Sequence, residues 1–347
     1  MLKKILAILL VSLLSLSLLA GCGGGKQQSE STQTDQNSQS GGESQDQISI
    51  RVGHVLAPTH PYQLGLEKFA ELVSQKTNGK VKVEVFHSSQ LGNERDMVEG
   101  LQLGTLEMTL VSTAPLSSFT KKFFVFDLPF IFKDTASARA VVDGPVGTQL
   151  LDSLKDQGII GLTYFENGFR HVTNNKKPIE KPEDLKGMKI RTMENPVHMA
   201  TFKVLGADPT PMAFGELFTA LQQGTIDGQE NPLPIIETSK FYEVQKYLSL
   251  TGHFYAPAPL LISRSFFESL SPDVQNAIKE AAVEAGDYER KLLDDMNAKL
   301  ENELQQKGMK INKPDKEAFV NAVQPVYKQF EGDITPELIK QVIDAQK

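Results

Sequence analysis

The 347-residue sequence has one cysteine, Cys22, and none after it. A body folded from the rest of the chain therefore has no disulfide, and packing alone must stabilise it. Basic surface is scarce as well. The chain carries 36 Lys and Arg against 43 Asp and Glu, a formal charge of −7. No cluster of lysines and arginines forms a stripe that would neutralise phosphates, which argues against nucleic acid as a partner. Signatures of catalysis are missing too: no Gly-x-Ser-x-Gly elbow, no His-Glu-x-x-His pair and no phosphate-cradling glycine loop. The histidines (His54, His60, His87, His171, His198 and His253) are scattered without metal-ligand spacing. The chain thus reads as a non-enzyme with no metal and no cofactor; an unrecognised carboxylate pair is the one hydrolase design left open.

Long hydrophobic runs are also absent. Residues 5–19 are apolar apart from serines, about 15 residues where a membrane-spanning helix needs roughly 20. The run follows Lys3 and Lys4 and ends in Leu19-Ala20-Gly21-Cys22. That pattern resembles a bacterial lipoprotein signal, residues 1–22, in which Cys22 becomes the lipidated first residue. Several acyl chains then give the stable anchoring that one chain does not. Residues 23–46 contain no large apolar side chain and read as a disordered, solvated tether with a root-mean-square span of about 27 Å. The body is expected outside the cytoplasm, anchored to the cell membrane. Without Lys3 and Lys4 the count is 34 basic against 43 acidic residues, or −9. An anionic ligand would have to be held by a few placed cations.

In the body, residues 48–55 and 81–86 alternate apolar and polar side chains and read as strands. Residues 62–75 between them carry a helical apolar stripe that stops near Asn78-Gly79. A helix over 93–103, a strand over 108–112, helices over 136–157 and a strand over 159–165 continue the alternation. It predicts a mostly parallel sheet with helices on both faces. A second unit starts near residue 169. It has a strand over 188–193, a helix over 197–205, a Pro-rich link at 208–211, a helix over 214–223 and a strand over 226–229. Residues 248–262 read as extended chain interrupted by Pro257 and Pro259. Ser271-Pro272 then opens a helix with apolar residues at Val274, Ile278, Ala281, Ala285, Leu292, Met296, Leu300 and Leu304, ending at Gly308. Its length of about 54 Å predicts a strut across both units, with Gly286 as a point of bending.

Leu101-Gln-Leu-Gly-Thr-Leu-Glu107 recurs in weakened form as Leu221-Gln-Gln-Gly-Thr-Ile-Asp227. Each copy ends a helical stretch and leads into an extended one, which suggests two similar α/β lobes with a ligand cleft between them. The fold expected is α/β and two-lobed, like that of periplasmic binding proteins. Lobe I covers 47–169, with about 255–285 returning to it. Lobe II covers 170–254, with about 286–347 packing on it. The chain crosses near 166–170 and 252–258, which makes a hinge.

Ligands of such sheets sit at the carboxyl ends of strands. Arg191 stands there, and its planar fork can pair a carboxylate with two hydrogen bonds. Arg170 falls at the start of the second unit. Asn231 precedes Pro232 and is a candidate either for a helix N-cap or for a hydrogen bond to a ligand. Glu94 suits a helix N-terminus. His54 and His60 flank the exit of the first strand.

Several stretches resemble the DctP-type solute-binding proteins of tripartite ATP-independent periplasmic (TRAP) transporters. They are Leu91-Gly-Asn-Glu-Arg95, the first repeat copy, Asp127-Leu-Pro-Phe130, Asp184-Leu-Lys-Gly-Met-Lys-Ile-Arg191, Pro211-Met-Ala-Phe214 running on to Gln229-Glu-Asn-Pro232, and Phe241-Tyr-Glu-Val-Gln245. The resemblance spans about residues 48–340. It implies a receptor that closes on a small organic anion and hands it to the membrane subunits of an ion-driven permease. It implies that Arg191 pairs the ligand carboxylate, that Arg170 and Asn231 complete that site, and that Phe214 lines the pocket. His54, His60 and Glu94 fall where the rest of the ligand is contacted. Residues 165–174 look like those of members that carry sugar acids such as hexuronates. The Gly53-His-Val…His60-Pro pattern also occurs in C4-dicarboxylate members. A sugar acid is favoured, because a dicarboxylate would need a second cation. The competing classes are an extracytoplasmic enzyme, which would turn a carboxylate over, and a sensor that passes its ligand to a receptor kinase.

Overall fold

The computed structural model describes residues 47–346; the expected lipoprotein signal, Cys22 and the expected tether of residues 23–46 lie outside the described residues. The described strands are β1 (Ile48–Gly53), β2 (Val81–Phe86), β3 (Met108–Leu110), β4 (Ile159–Phe169), β5 (His171–Asn174), β6 (Lys189–Thr192), β7 (Asp208–Pro211), β8 (Gly228–Asn231), β9 (Tyr247–Ser249), β10 (Tyr255–Ser263) and β11 (Lys310–Asn312). They form two sheets, ordered β2-β1-β3-β10-β4 and β11-β9-β5-β8-β6-β7. Each sheet is the centre of one lobe, so the architecture is the two-lobed α/β fold.

The two lobes share a kernel. In the first, β1 pairs in parallel with β2 and β3; in the second, β6 pairs in parallel with β7 and β8. Helices Pro61–Lys76 and Glu94–Leu103 link the first three strands, and Pro196–Val204 and Phe214–Gln222 link the second three. The repeated segment is the corner into the last strand of each kernel. Gly104 and Gly224 take the left-handed conformation at φ 69° and 67°, which costs glycine nothing. The next residues, Thr105 and Thr225, each send their N–H and hydroxyl back to one carbonyl, that of Gly100 and Ala220 respectively. The acid closing each copy accepts a backbone N–H from the neighbouring strand: Glu107 from Arg51 at 3.0 Å and Asp227 from Lys189 at 2.8 Å. The echo in sequence is therefore one corner built twice.

In each sheet the strands point one way, as the alternation predicts, except for a single reversed strand that makes the sheet mixed. β10 runs antiparallel to β3 and β4, and β5 runs antiparallel to β8 and β9. The crossings are the reason. β4 carries the chain out of the first lobe and β10 brings it back beside β4, so the two must oppose. They are tied together: the Arg170 N–H donates to Phe254 O at 2.9 Å, and the Gly252 N–H donates to His171 Nδ1 at 3.0 Å. β10 is buried along its whole length and still contains Pro257. Its register with β4 shifts between Ala256 and Pro257, and such a bulge absorbs the missing donor. The Pro-rich segment read as a link is β7, an edge strand, where proline leaves no inner ladder bond unmade.

The long helix Pro272–Gln306 spans 35 residues, about 52 Å. It packs on helix Pro61–Lys76 and β4 in the first lobe and on helix Leu233–Thr238 in the second. A Cβ at Gly286 would lie 3.2 Å from Tyr164 O, so glycine there lets the helix sit close on β4. The buried face runs through Leu293 while Leu292 is partly exposed, and it also contains two charged residues. Arg290 donates to both Asp143 carboxylate oxygens at 2.7 and 2.9 Å, and Glu289 Oε2 accepts the Glu166 N–H at 3.1 Å. The final helix, Pro336–Asp344, packs on helix Pro145–Asp152 of the first lobe.

Candidate functional site

A small cavity, of about 10 Å³, lies between the lobes, at the carboxyl ends of the parallel strands. Val55 and Leu56 follow β1, Glu94 opens the helix after β2, and Ser112 follows β3. From the other lobe come Arg191 and Met193 of β6 and its exit, Phe214 after β7, and Asn231 and Ile235 at the exit of β8. Tyr62, Asn167 and Arg170 complete the lining. Asn195 of the second lobe spans the gap beside it. Its Nδ2 faces Asp127 Oδ2 at 2.7 Å, Ala114 O at 3.0 Å and Ser117 Oγ at 3.1 Å, which holds the cleft closed.

The two arginines are not equivalent. Arg170 is fully buried, and its Nε and Nη2 donate to the two carboxylate oxygens of Glu230 at 2.5 and 2.8 Å. Nη2 also donates to Glu230 O at 2.6 Å. The His253 ring nitrogen Nε2 lies 3.1 Å from Glu230 Oε2. Burial opposes ionisation of Glu230, but the Arg170 charge and these hydrogen bonds outweigh it and hold its carboxyl well below the usual range. Arg170 therefore has its counter-charge inside the protein.

Arg191 has none. Its Nε and Nη2 donate to Met212 O at 2.9 and 2.7 Å, which fixes the plane of the fork. Nη1 is buried and makes no hydrogen bond, and no carboxylate among the described residues lies within ion-pair distance of it. The guanidinium carbon sits 6.0 Å from the centre of the Phe214 ring, so Phe214 walls the fork as well as the cavity. Burial and the Arg170 charge lower the Arg191 pKa to about 10; it stays a cation at neutral pH. A buried unpaired cation is costly, and an anion in the cavity would remove that cost. Asn231 lies in β8 and does not cap the next helix, whose N-cap is Pro232. Its Nδ2 donates to Gln229 Oε1 at 2.5 Å, and Gln229 Nε2 donates to Thr173 Oγ1 at 2.8 Å, so the amide is oriented from behind.

On the first-lobe side, Glu94 Oε1 accepts the Ser112 N–H at 2.6 Å. Burial raises the Glu94 pKa, against hydrogen bonds from Ser112 and the charges of Arg191 and Arg170. His54 and His60 are fully buried and do not line the cavity. His54 Nε2 bonds Gln63 Oε1 at 2.9 Å, and His60 Nδ1 accepts the Tyr62 N–H as the helix N-cap at 3.1 Å. Tyr62 and Asn167 are among the lining residues that the sequence did not single out. Tyr62 sits on the apolar stripe of its helix and reads as core. Asn167 lies in β4, and nothing in its spacing sets it apart.

Three larger depressions, of about 490, 580 and 410 Å³, open on the surface near Tyr242 and Lys246, near Met199 and Lys203, and near Asp143 and Arg290. The first two linings hold no buried polar atom without a partner and the third holds one, Arg290 Nε, whereas the small cavity has three: Arg191 Nη1, Tyr62 Oη and Asn167 Oδ1. Those three make it the candidate site.

The model of the family described as DctP, bacterial extracellular solute-binding protein family 7, matches residues 52–333. The chain is 39% identical over 302 residues to the 2,3-diketo-L-gulonate-binding periplasmic protein YiaO of Escherichia coli strain K12, covering 86% of this chain and 92% of that one. It resembles the TRAP periplasmic solute-binding protein of Polaromonas sp. JS666 bound to D-erythronate, with a TM-score of 0.84, 44% identity and coverage of 86% and 98%. It also resembles the one from Sulfurospirillum deleyianum DSM 6946 bound to succinate, with a TM-score of 0.82, 39% identity and coverage of 87% and 99%.

Proposed function

Since the chain belongs to the DctP family of bacterial extracellular solute-binding proteins, we propose that it captures a hydroxylated monocarboxylate, a sugar acid, and delivers it to the permease subunits of a TRAP transporter. The observation that carries this reading is Arg191, a buried cation with one edge on Met212 O and Nη1 unpartnered. A carboxylate fits that fork with paired, charge-assisted hydrogen bonds. Arg170 and Asn231 steady the same end of the ligand, and Phe214 covers it.

Charge count favours one carboxylate over two. Arg170 is neutralised by Glu230, and the other ionisable side chain of the lining, Glu94, is an acid. A second ligand carboxylate would meet no free cation, whereas ligand hydroxyls can donate to Glu94. The YiaO and D-erythronate relatives support this class. A C4-dicarboxylate is the second reading, supported by the succinate-bound relative. It would require Glu94 to be protonated, the direction in which burial pushes it. The receptor is proposed to be held to the cell membrane by lipid on Cys22.

The test is a thermal-shift screen of the soluble body against uronates, aldonates, C4-dicarboxylates and keto acids. A ligand at about 100 times its Kd adds roughly 2.7 kcal/mol of stability. A shift with sugar acids is expected; no shift with any carboxylate sinks the proposal, and turnover of the bound acid would make the chain an enzyme.

A further inference from the structure

We infer that Tyr62 and Asn167 read a ligand hydroxyl, the tyrosine as donor and the asparagine as acceptor, and so set the preference for hydroxylated acids over bare ones. This rests on the sugar-acid reading of the cavity, and it names residues which that reading does not need.

Tyr62 Oη and Asn167 Oδ1 are both buried, both line the cavity and both lack a hydrogen-bond partner. Unpaired buried polar atoms are uncommon, and each calls for a reason. Two neighbours in a cavity that also holds the unpaired Nη1 of Arg191 point to one absent group that would satisfy them. The orientations are fixed by the protein. The Ser112 hydroxyl gives its proton to the Glu94 carboxylate and so accepts from Asn167 Nδ2 at 3.0 Å, which leaves Asn167 with its oxygen free. Tyr62 is held by histidines. The His60 ring stands edge-on to it at 5.0 Å and 86°, and the His54 ring at 6.1 Å and 73°. His60 is tied to the Tyr62 N–H and His54 to Gln63. The two histidines thus position the tyrosine and stay off the ligand.

The remaining atoms are a hydroxyl, which can give and take a proton, and a carbonyl, which only accepts. An alcohol satisfies both at once. A carboxylate can accept from Tyr62 but offers nothing to Asn167 Oδ1, and a methylene satisfies neither. Sites built to bond a hydroxyl reject analogues that lack it, because their own groups are left unpaired.

Isothermal titration with matched acids tests this. D-erythronate and butanoate share a four-carbon chain and differ in hydroxyls; galactonate and hexanoate are the six-carbon pair; succinate adds a second carboxylate. The wild type should bind the hydroxylated member of a pair far more tightly. Tyr62→Phe should lower that ratio roughly 10- to 100-fold, and Asn167→Ala should lower it as well. The Tyr62 hydroxyl makes no hydrogen bond of full geometry in the free protein, although the Asn167 amide lies close enough to interact with it; Tyr62→Phe should therefore change the ligand-free Tm little, so a loss confined to hydroxylated acids is not misfolding. If Tyr62→Phe leaves the ratio unchanged, or wild type does not distinguish the members of a pair, the inference fails while a carboxylate receptor stands. If wild type binds none of these acids, the receptor reading fails with it.

Discussion

Glu230→Gln isolates the charge that keeps Arg170 from being a second ligand-binding cation. The side chain keeps its shape and one acceptor, and the Arg170 bond to the backbone oxygen of residue 230 is untouched. What disappears is the counter-charge for a guanidinium with 1% exposure. Removing one member of a buried pair costs about 3–5 kcal/mol; the retained acceptor puts this case near 3 kcal/mol. At roughly 2 °C per kcal/mol for a body of this size, the ligand-free Tm should fall by about 6 °C. Binding should change in the opposite sense for a dianion. With Arg170 uncompensated the cavity faces its ligand with two cations, so succinate should gain at least about 10-fold over D-erythronate, and its stabilisation of the variant should exceed that of wild type. Melting curves with and without each acid measure both effects. An unchanged Tm together with an unchanged ligand preference would refute the division of labour between Arg170 and Arg191.

Burial, helped by the Glu166 charge, holds Glu289 well above the usual carboxylate range. The folded state therefore keeps a proton that the unfolded chain releases near pH 4.3, and stability falls as pH rises past that value. Glu289→Gln, which can still accept the Glu166 N–H, should raise Tm at pH 8 and change it little at pH 4; equal shifts at both would contradict this. His54 is lowered to about 4 and His60 well below 6.5, chiefly by burial. The unfolded chain gains these protons first, so stability should drop as pH falls from 6.5 toward 4. His60→Asn keeps an N-cap acceptor and should flatten the change in urea midpoint between pH 7 and pH 5; an unaltered slope would count against the assignment.

Periodicity, turn residues and family motifs made the lobes, the corners and the strand-end position of Arg191 legible in the sequence, because each rests on local chemistry. The reversed strand in each sheet was not legible. Whether β10 runs with or against its neighbours depends on where the chain returns, 86 positions after β4 ends (169 to 255). The roles of Arg170 and Arg191 were also hidden, because two buried arginines look alike until Glu230 is placed beside one of them. His54 and His60 lie in the predicted region and yet touch Tyr62, since an aromatic on a helical apolar stripe carries no mark of a hydroxyl turned toward a cavity. Glu289 and Arg290 are the reverse case. Their charge argues for solvent, and only the β4 contact shows that they are buried.

The central claim is that Arg191 grips the ligand carboxylate, and its conservative replacement tests it most directly. Lysine is a point charge and cannot hold Met212 O and a carboxylate in one plane. Titration of Arg191→Lys with the tightest acid from the screen should show an affinity lower by about 100-fold, with the ligand-free Tm close to that of wild type. Wild-type affinity in that variant would contradict the account.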